Sequence, residues 1–162
     1  GGAVRGESEW LEAPPAGAVA AARADLSAIG ALDADGRLTP HGRLLARFGL
    51  APRLAHMLLV GAERRQATEA GVLAALLEER GVGGASVDLD ERLRRFAGDR
   101  SPRAGAARRL AERWAAEAGR LQEAGDAPGL PAGLLLAEAW PERVARRRKV
   151  PGPSDATADY LM

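Results

Sequence analysis

Residues Gly30 to Leu59 read GALDADGRLTPHGRLLARFGLAPRLAHMLL, and their order of turn, cap and apolar signals decides the fold. An Asp35-Gly36 turn lies between two short pairs, Ala31-Leu32 and Arg37-Leu38, as in a very short hairpin. Thr39 before Pro40 is the N-cap and first-turn signature of a helix, because a threonine oxygen can accept a free amide and proline has none to waste. Leu44, Leu45 and Phe48 supply that helix's apolar face, and Gly49 stops it. Ala51-Pro52 then starts a second helix burying Leu54, Met57 and Leu58.

Working outward, Val19, Ala22, Leu26 and Ile29 recur at helical spacing, which predicts a helix over 16–29 with Gly30 as its C-terminal cap. Downstream the pattern is purely helical. Val72, Leu73, Leu76 and Leu77 form one apolar face, and Gly81-Val82-Gly83-Gly84 breaks it. Asp88 to Phe96 is a shorter helix, with Leu89, Leu93 and Phe96 turned inward. Ser101-Pro102 opens a helix whose inner side is Ala107, Leu110, Trp114, Ala118 and Leu121. Its outer side, Arg109, Glu112, Arg113, Glu117 and Arg120, reads as a solvated, salt-bridging face. Leu134, Leu135, Leu136, Trp140 and Val144 define a last helix, and residues 151–159 read as a spacer. The expected fold class is mainly α.

Composition removes several function classes. Basic and acidic residues nearly balance, 23 against 22, so no global field draws the chain to nucleic acid or to a membrane. Only one cation is a lysine, and with so much alanine and glycine this arginine bias reads as a coding habit and not as evidence for RNA. Absence of cysteine excludes disulfides and thiolate metal sites. No apolar stretch approaches the roughly 20 residues of a bilayer span, and a cytoplasmic location is the expectation. His41 and His56 have no third ligand at metal spacing; His41 reads as a solvated first-turn residue and His56 as a packed or domain-facing one.

Gly30-Ala31-Leu32-Asp33, Gly36-Arg37-Leu38-Thr39, Gly42, Ala46 and Pro52 to Leu58 together resemble the winged-helix segment that follows the motor domains of DEAH/RHA-type ATP-dependent RNA helicases, most of all the HrpB-like group. Trp10-Leu11-Glu12-Ala13-Pro14-Pro15 is similar to the opening of the same region. Gly133 to Arg148, GLLLAEAWPERVARRR, resembles the last helix of the family's ratchet, the bundle over which single-stranded RNA passes. The resemblance implies a linker at 1–9, a winged-helix-like unit at 10–60, a helical ratchet bundle at 61–150, and at 151–162 a loop plus the first strand, Tyr160-Leu161, of a C-terminal OB-like region. The opening Gly1-Gly2 and the closing Tyr160-Leu161-Met162 fit the expectation that this is a piece of a longer protein.

An ATP-driven motor needs G-x-x-x-x-G-K-[ST], whose lysine reaches the β- and γ-phosphates. The single lysine, Lys149, lies in Arg148-Lys149-Val150-Pro151 and is not that loop. Catalysis, cofactors and metals are therefore not expected of this chain, and the resemblance assigns ATP and Mg²⁺ to motor domains outside it. Its implied partners are single-stranded RNA, held weakly, and those motor domains. For RNA the candidate residues are Arg143, Arg146, Arg147, Arg148 and Lys149, five cations in seven positions without an acid. On a continued helix Arg143, Arg146 and Arg147 share one face. Arg92, Arg94 and Arg95 form a second cluster, diluted by Asp88, Asp90 and Glu91. Trp114 and Trp140 sit at apolar positions and read as core. Two other functions fit the pattern: a winged-helix DNA-binding regulator with a helical oligomerisation tail, and a helical protein-interaction module. Residues 1–60 carry six basic and six acidic side chains, which gives a groove reader no basic face.

Overall fold

In this computed structural model the described residues are 15–144 and two short strands, 146–147 and 160–161. The linker at 1–9, the segment Trp10 to Pro14, Arg148, Lys149 and the 151–159 spacer lie outside the described residues. The elements are α1 (Ala16–Ala28), α2 (Pro40–Leu45) with a 3-10 turn at Ala46–Phe48, α3 (Pro52–Glu63), α4 (Ala67–Glu78), α5 (Leu89–Gly98), α6 (Pro102–Leu121), α7 (Ala132–Ala139) with a 3-10 turn at Pro141–Arg143, β1 (Arg146–Arg147) and β2 (Tyr160–Leu161). The fold is mainly α, as its periodicity predicts. The two strands pair antiparallel, Arg146 opposite Leu161 and Arg147 opposite Tyr160.

The N-terminal unit forms as its local signals dictate. α1 closes in a Schellman arrangement, the Ala31 amide donating to the Leu26 carbonyl at 2.8 Å and that of Gly30 to Ser27 at 3.0 Å. The hairpin is reduced to a single bridge, Leu32 with Leu38. Asp33 holds its turn, its Oδ1 accepting from the Asp35 amide at 3.0 Å and the Arg37 amide at 2.8 Å. Thr39 caps α2 by accepting from the Gly42 amide at 2.9 Å while its hydroxyl donates to the Gly30 carbonyl at 2.7 Å. Gly42 is needed there because a Cβ would collide with the Ala31 carbonyl and the Leu38 side chain.

α3 is the central element. Leu54, Met57, Leu58 and Leu59 bury against Leu73 of α4 and Leu135 of α7, and the cluster continues back to Ile29, Leu45 and Phe48. α3 crosses residue 60, so one core runs from the hairpin to α7. A second cluster joins Leu76 of α4, Val82, Phe96 of α5 and the alanines of α6; Trp114 packs against both.

Packing corrects the expected inner face of α6. Ala107 and Ala118 are buried as expected, with Ala104 and Ala111 beside them, whereas Leu110, Trp114 and Leu121 are half-buried at the flanks. The cause is close approach: a Cβ on Gly71 of α4 would stand 2.5 Å from the Ala111 carbonyl oxygen, so where the two helices meet α4 has room only for glycine and α6 only for small side chains. A further correction concerns α1. Ile29 is buried and Leu26 half-buried, but Val19 and Ala22 are exposed and α1 itself contains no buried residue.

Candidate nucleic-acid interface

The chain's exit from α7 carries the candidate cations. Leu135 and Ala139 anchor α7 in the core, while Leu136 and Trp140 are half-buried and Leu134 exposed. The helix ends at Ala139 and does not continue through Val144. Pro141 has no amide for the Ala137 carbonyl, and its ring would clash with that carbonyl in a continued helix. Trp140, just before the proline, is pushed out of helical geometry to φ −136 and ψ 64. Arg143 therefore lies in the 3-10 turn and Arg146 and Arg147 in β1, so the helical face they were expected to share does not exist. The five cations remain neighbours in sequence; Arg148 and Lys149 lie outside the described residues.

Arg53, at the start of α3, holds this exit in place. Its Nη1 donates to the Ala139 carbonyl at 2.7 Å and to Glu142 Oε2 at 3.1 Å, and its Nη2 lies 2.7 Å from Asp25 Oδ1 of α1. One guanidinium thus ties α1 and α3 to the end of α7. Glu142, drawn toward Arg53, is only 3.9 Å from the Arg143 Nε, and the Arg143 side chain is 76% exposed. Its own backbone amide and the two arginines hold the Glu142 carboxyl below its ordinary range. Beside Arg143 opens an apolar groove of about 450 Å³, lined by Leu77, Leu134, Leu136, Trp140 and Val144 among others.

The second arginine cluster is spent on the protein's own backbone and acids. Arg92 Nη2 donates to the Leu76 carbonyl at 2.9 Å at the end of α4. Arg94 Nε reaches the Asp90 carbonyl at 3.3 Å, and Arg95 is paired with Glu91 of the preceding turn at 2.5 Å. Arg108 follows the same pattern, donating to the carbonyls of Phe96 and Asp99 at 2.9 and 2.7 Å with its guanidinium 5.6 Å from the Phe96 ring.

Sequence reasoning also missed a histidine pair. His41 of α2 is half-buried, not solvated, and its Nε2 lies 2.9 Å from Nδ1 of His56 on α3, with the rings edge-on at 88°. Burial lowers the pKa of both imidazoles, and that of His56, which also faces His41, falls to about 4. One nitrogen donates and the other accepts, so at least one imidazole of the bonded pair is neutral. No group of three His, Asp or Glu residues that could hold a metal occurs among the described residues. Nor is any single described helix long and apolar enough to cross a membrane.

Comparison with known proteins bears on this arrangement. Residues 22–50 match the winged-helix part of the helicase associated domain family (HA2). The ATP-dependent RNA helicase HrpB of Escherichia coli is 34% identical over 142 residues, covering 88% of this chain and 16% of that protein. A human ATP-dependent RNA helicase homolog is 42% identical over 72 residues, 44% of this chain and 10% of its own. In three dimensions the crystal structure of the E. coli DExH-box NTPase HrpB superposes with a TM-score of 0.64 at 32% identity, over 86% of this chain and 16% of that one. The chain spans about a sixth of the length of the HrpB it matches. A winged-helix segment running into a helical bundle, matched in that order over most of its length, belongs with the C-terminal helicase-associated region of HrpB-like DEAH/RHA helicases.

Proposed function

We propose that this chain is the non-catalytic winged-helix and ratchet portion of an ATP-dependent RNA helicase, and that it couples the motor to single-stranded RNA in the cytoplasm. The observation that carries this reading is the continuous similarity to HrpB across both the winged-helix segment and the bundle. ATP and Mg²⁺ belong to the motor domains, because the sole lysine here stands in no phosphate loop. The role is mechanical: the bundle docks on the motor, and the cationic exit of α7 holds the strand while the motor moves. Arg143 suits that task, being exposed with its neighbouring carboxylate engaged by Arg53.

The test is a salt titration of RNA binding. Single-stranded RNA should bind weakly and without sequence preference, and the chain should show no ATPase activity. Each phosphate contact contributes about −0.7 to the slope of log K against log salt, so replacing Arg143, Arg146 and Arg147 with alanine should flatten it by about two. Tight, sequence-selective duplex DNA binding that depends on Arg43, Arg47 or Arg53 would establish the regulator instead. If neither nucleic acid binds and the triple variant loses only a protein partner, the interaction module is correct.

A further inference from the structure

We propose that the apolar groove at the end of α7 seats one unstacked base of single-stranded RNA, with Trp140 as its stacking face and Arg143 on the adjoining phosphate. The inference rests on the RNA reading above and adds a site to it.

Five large hydrophobic side chains are exposed among the described residues, and two of them, Leu134 and Val144, each 54% exposed, line this one groove. Isolated exposed leucines need no explanation, but paired ones beside a half-buried tryptophan form a surface that water wets poorly. Trp140 both packs on the main core and lines the groove, so it is held in place while offering apolar surface. Its backbone is fixed by the Pro141 break on one side and by the Arg53 bond to the Ala139 carbonyl on the other. The volume, about 450 Å³, lies in the range of small-ligand sites.

The charge around it selects the occupant. Arg143 is the one charged side chain among the described residues that line the groove. The only nearby acid in the turn, Glu142, is bound by Arg53 at 3.1 Å. An apolar floor whose one charged lining residue is a cation complements a base attached to a phosphodiester, since every base offers a π-face and every linkage a negative charge. A protein segment filling the same groove would have to be apolar and acidic together.

The test uses the 162-residue chain with Trp10→Phe and Trp114→Phe, which leaves Trp140 as the only tryptophan. The probes are a decameric oligouridylate and an abasic ribose-phosphate decamer, titrated at several salt concentrations. Oligouridylate should quench Trp140 to saturation, and the abasic strand should bind about tenfold more weakly with the same salt slope, tenfold being within what loss of one stacked base costs. In the wild-type background Trp140→Leu should bring oligouridylate down to the abasic level, and Trp140→Tyr should restore most of the difference. Leu134→Gln, at an exposed position, should give part of the same loss without any change in unfolding midpoint.

Equal binding of both probes with an unaltered Trp140 signal would overturn the base seat and leave the RNA reading standing. If neither probe binds, both the base seat and the RNA reading fall. Shielding of Trp140 by a motor domain, with oligouridylate unable to displace it, would show that protein covers the groove and would also overturn the proposal.

Discussion

α1 and α4 are built from nearly the same material and end in opposite environments. α1 is AGAVAAARADLSA and α4 is ATEAGVLAALLE, each rich in the best helix former and each about three turns long. None of the first is buried, whereas Ala70, Gly71, Leu73, Ala74, Ala75 and Leu76 of the second are. Alanine forms a helix on either site, so propensity does not separate them. What separates them is neighbours: α4 lies against α3, α6 and α7, and α1 meets the rest of the described chain through Leu26, Ile29 and Asp25 near its C-terminal end. The amphipathic spacing of Val19, Ala22 and Leu26 states which face is apolar, not whether anything covers it.

The contrast can be broken most forcefully at Leu73, 1% exposed at the meeting of α3, α4 and α7. Leu73→Ala should cost about 2–5 kcal/mol in urea unfolding; a cost near zero would mean α4 is not the interior helix. Smaller is the effect of pH on the histidine pair. Both imidazoles titrate below the ordinary 6.5 and His56 at about 4, so the folded chain binds fewer protons than the unfolded one between those values. Stability should be complete above about pH 6.5 and drain away toward pH 4, by on the order of 1–3 kcal/mol after allowance for residual exposure. His56→Gln should lessen that dependence, as read from midpoints at pH 7.5 and 4.5. Next comes Arg53→Met, expected to cost about 1–3 kcal/mol, chiefly through the unpaired Ala139 carbonyl. The two ion pairs add little because Asp25 and Glu142 are about half exposed. Last, Val19→Ala on the bare face of α1 should change stability by less than about 0.5 kcal/mol. A cost above 1 kcal/mol would show that α1 has a partner within the chain.

How much of this was legible in the residues follows the reach of each interaction. Thr39-Pro40, Gly49, Ala51-Pro52 and Ser101-Pro102 act within one helical turn, and the elements they punctuate are the ones observed. The end of α7 was equally local: proline at 141 says that the helix stops before it, but the apolar spacing of Trp140 and Val144 reads straight through. The α6 interior was hidden because the deciding fact, the approach of Gly71 to Ala111, joins residues in two different helices. Gln66 is another such case, its amide donating to the Leu130 carbonyl at 2.9 Å and accepting from the Leu130 amide at 2.6 Å across 64 positions. The candidate interface was legible as charge, in the run from Arg143 to Lys149, but not as shape. The groove beside it exists only once α4 and α7 have met.

Arg53 reaches back to Asp25 and forward 86 and 89 positions to Ala139 and Glu142. Contacts separated by so much chain close only after the intervening helices have docked, because the entropy of the large loop must be met first. The guanidinium is therefore a latch on the finished molecule and takes no part in guiding the chain to it. Arg53→Met should leave the refolding rate unchanged and place its whole effect on unfolding, a φ-value near zero in a chevron analysis. Evolution could then strengthen or loosen this latch to set how long the assembled state persists, without altering how fast it forms.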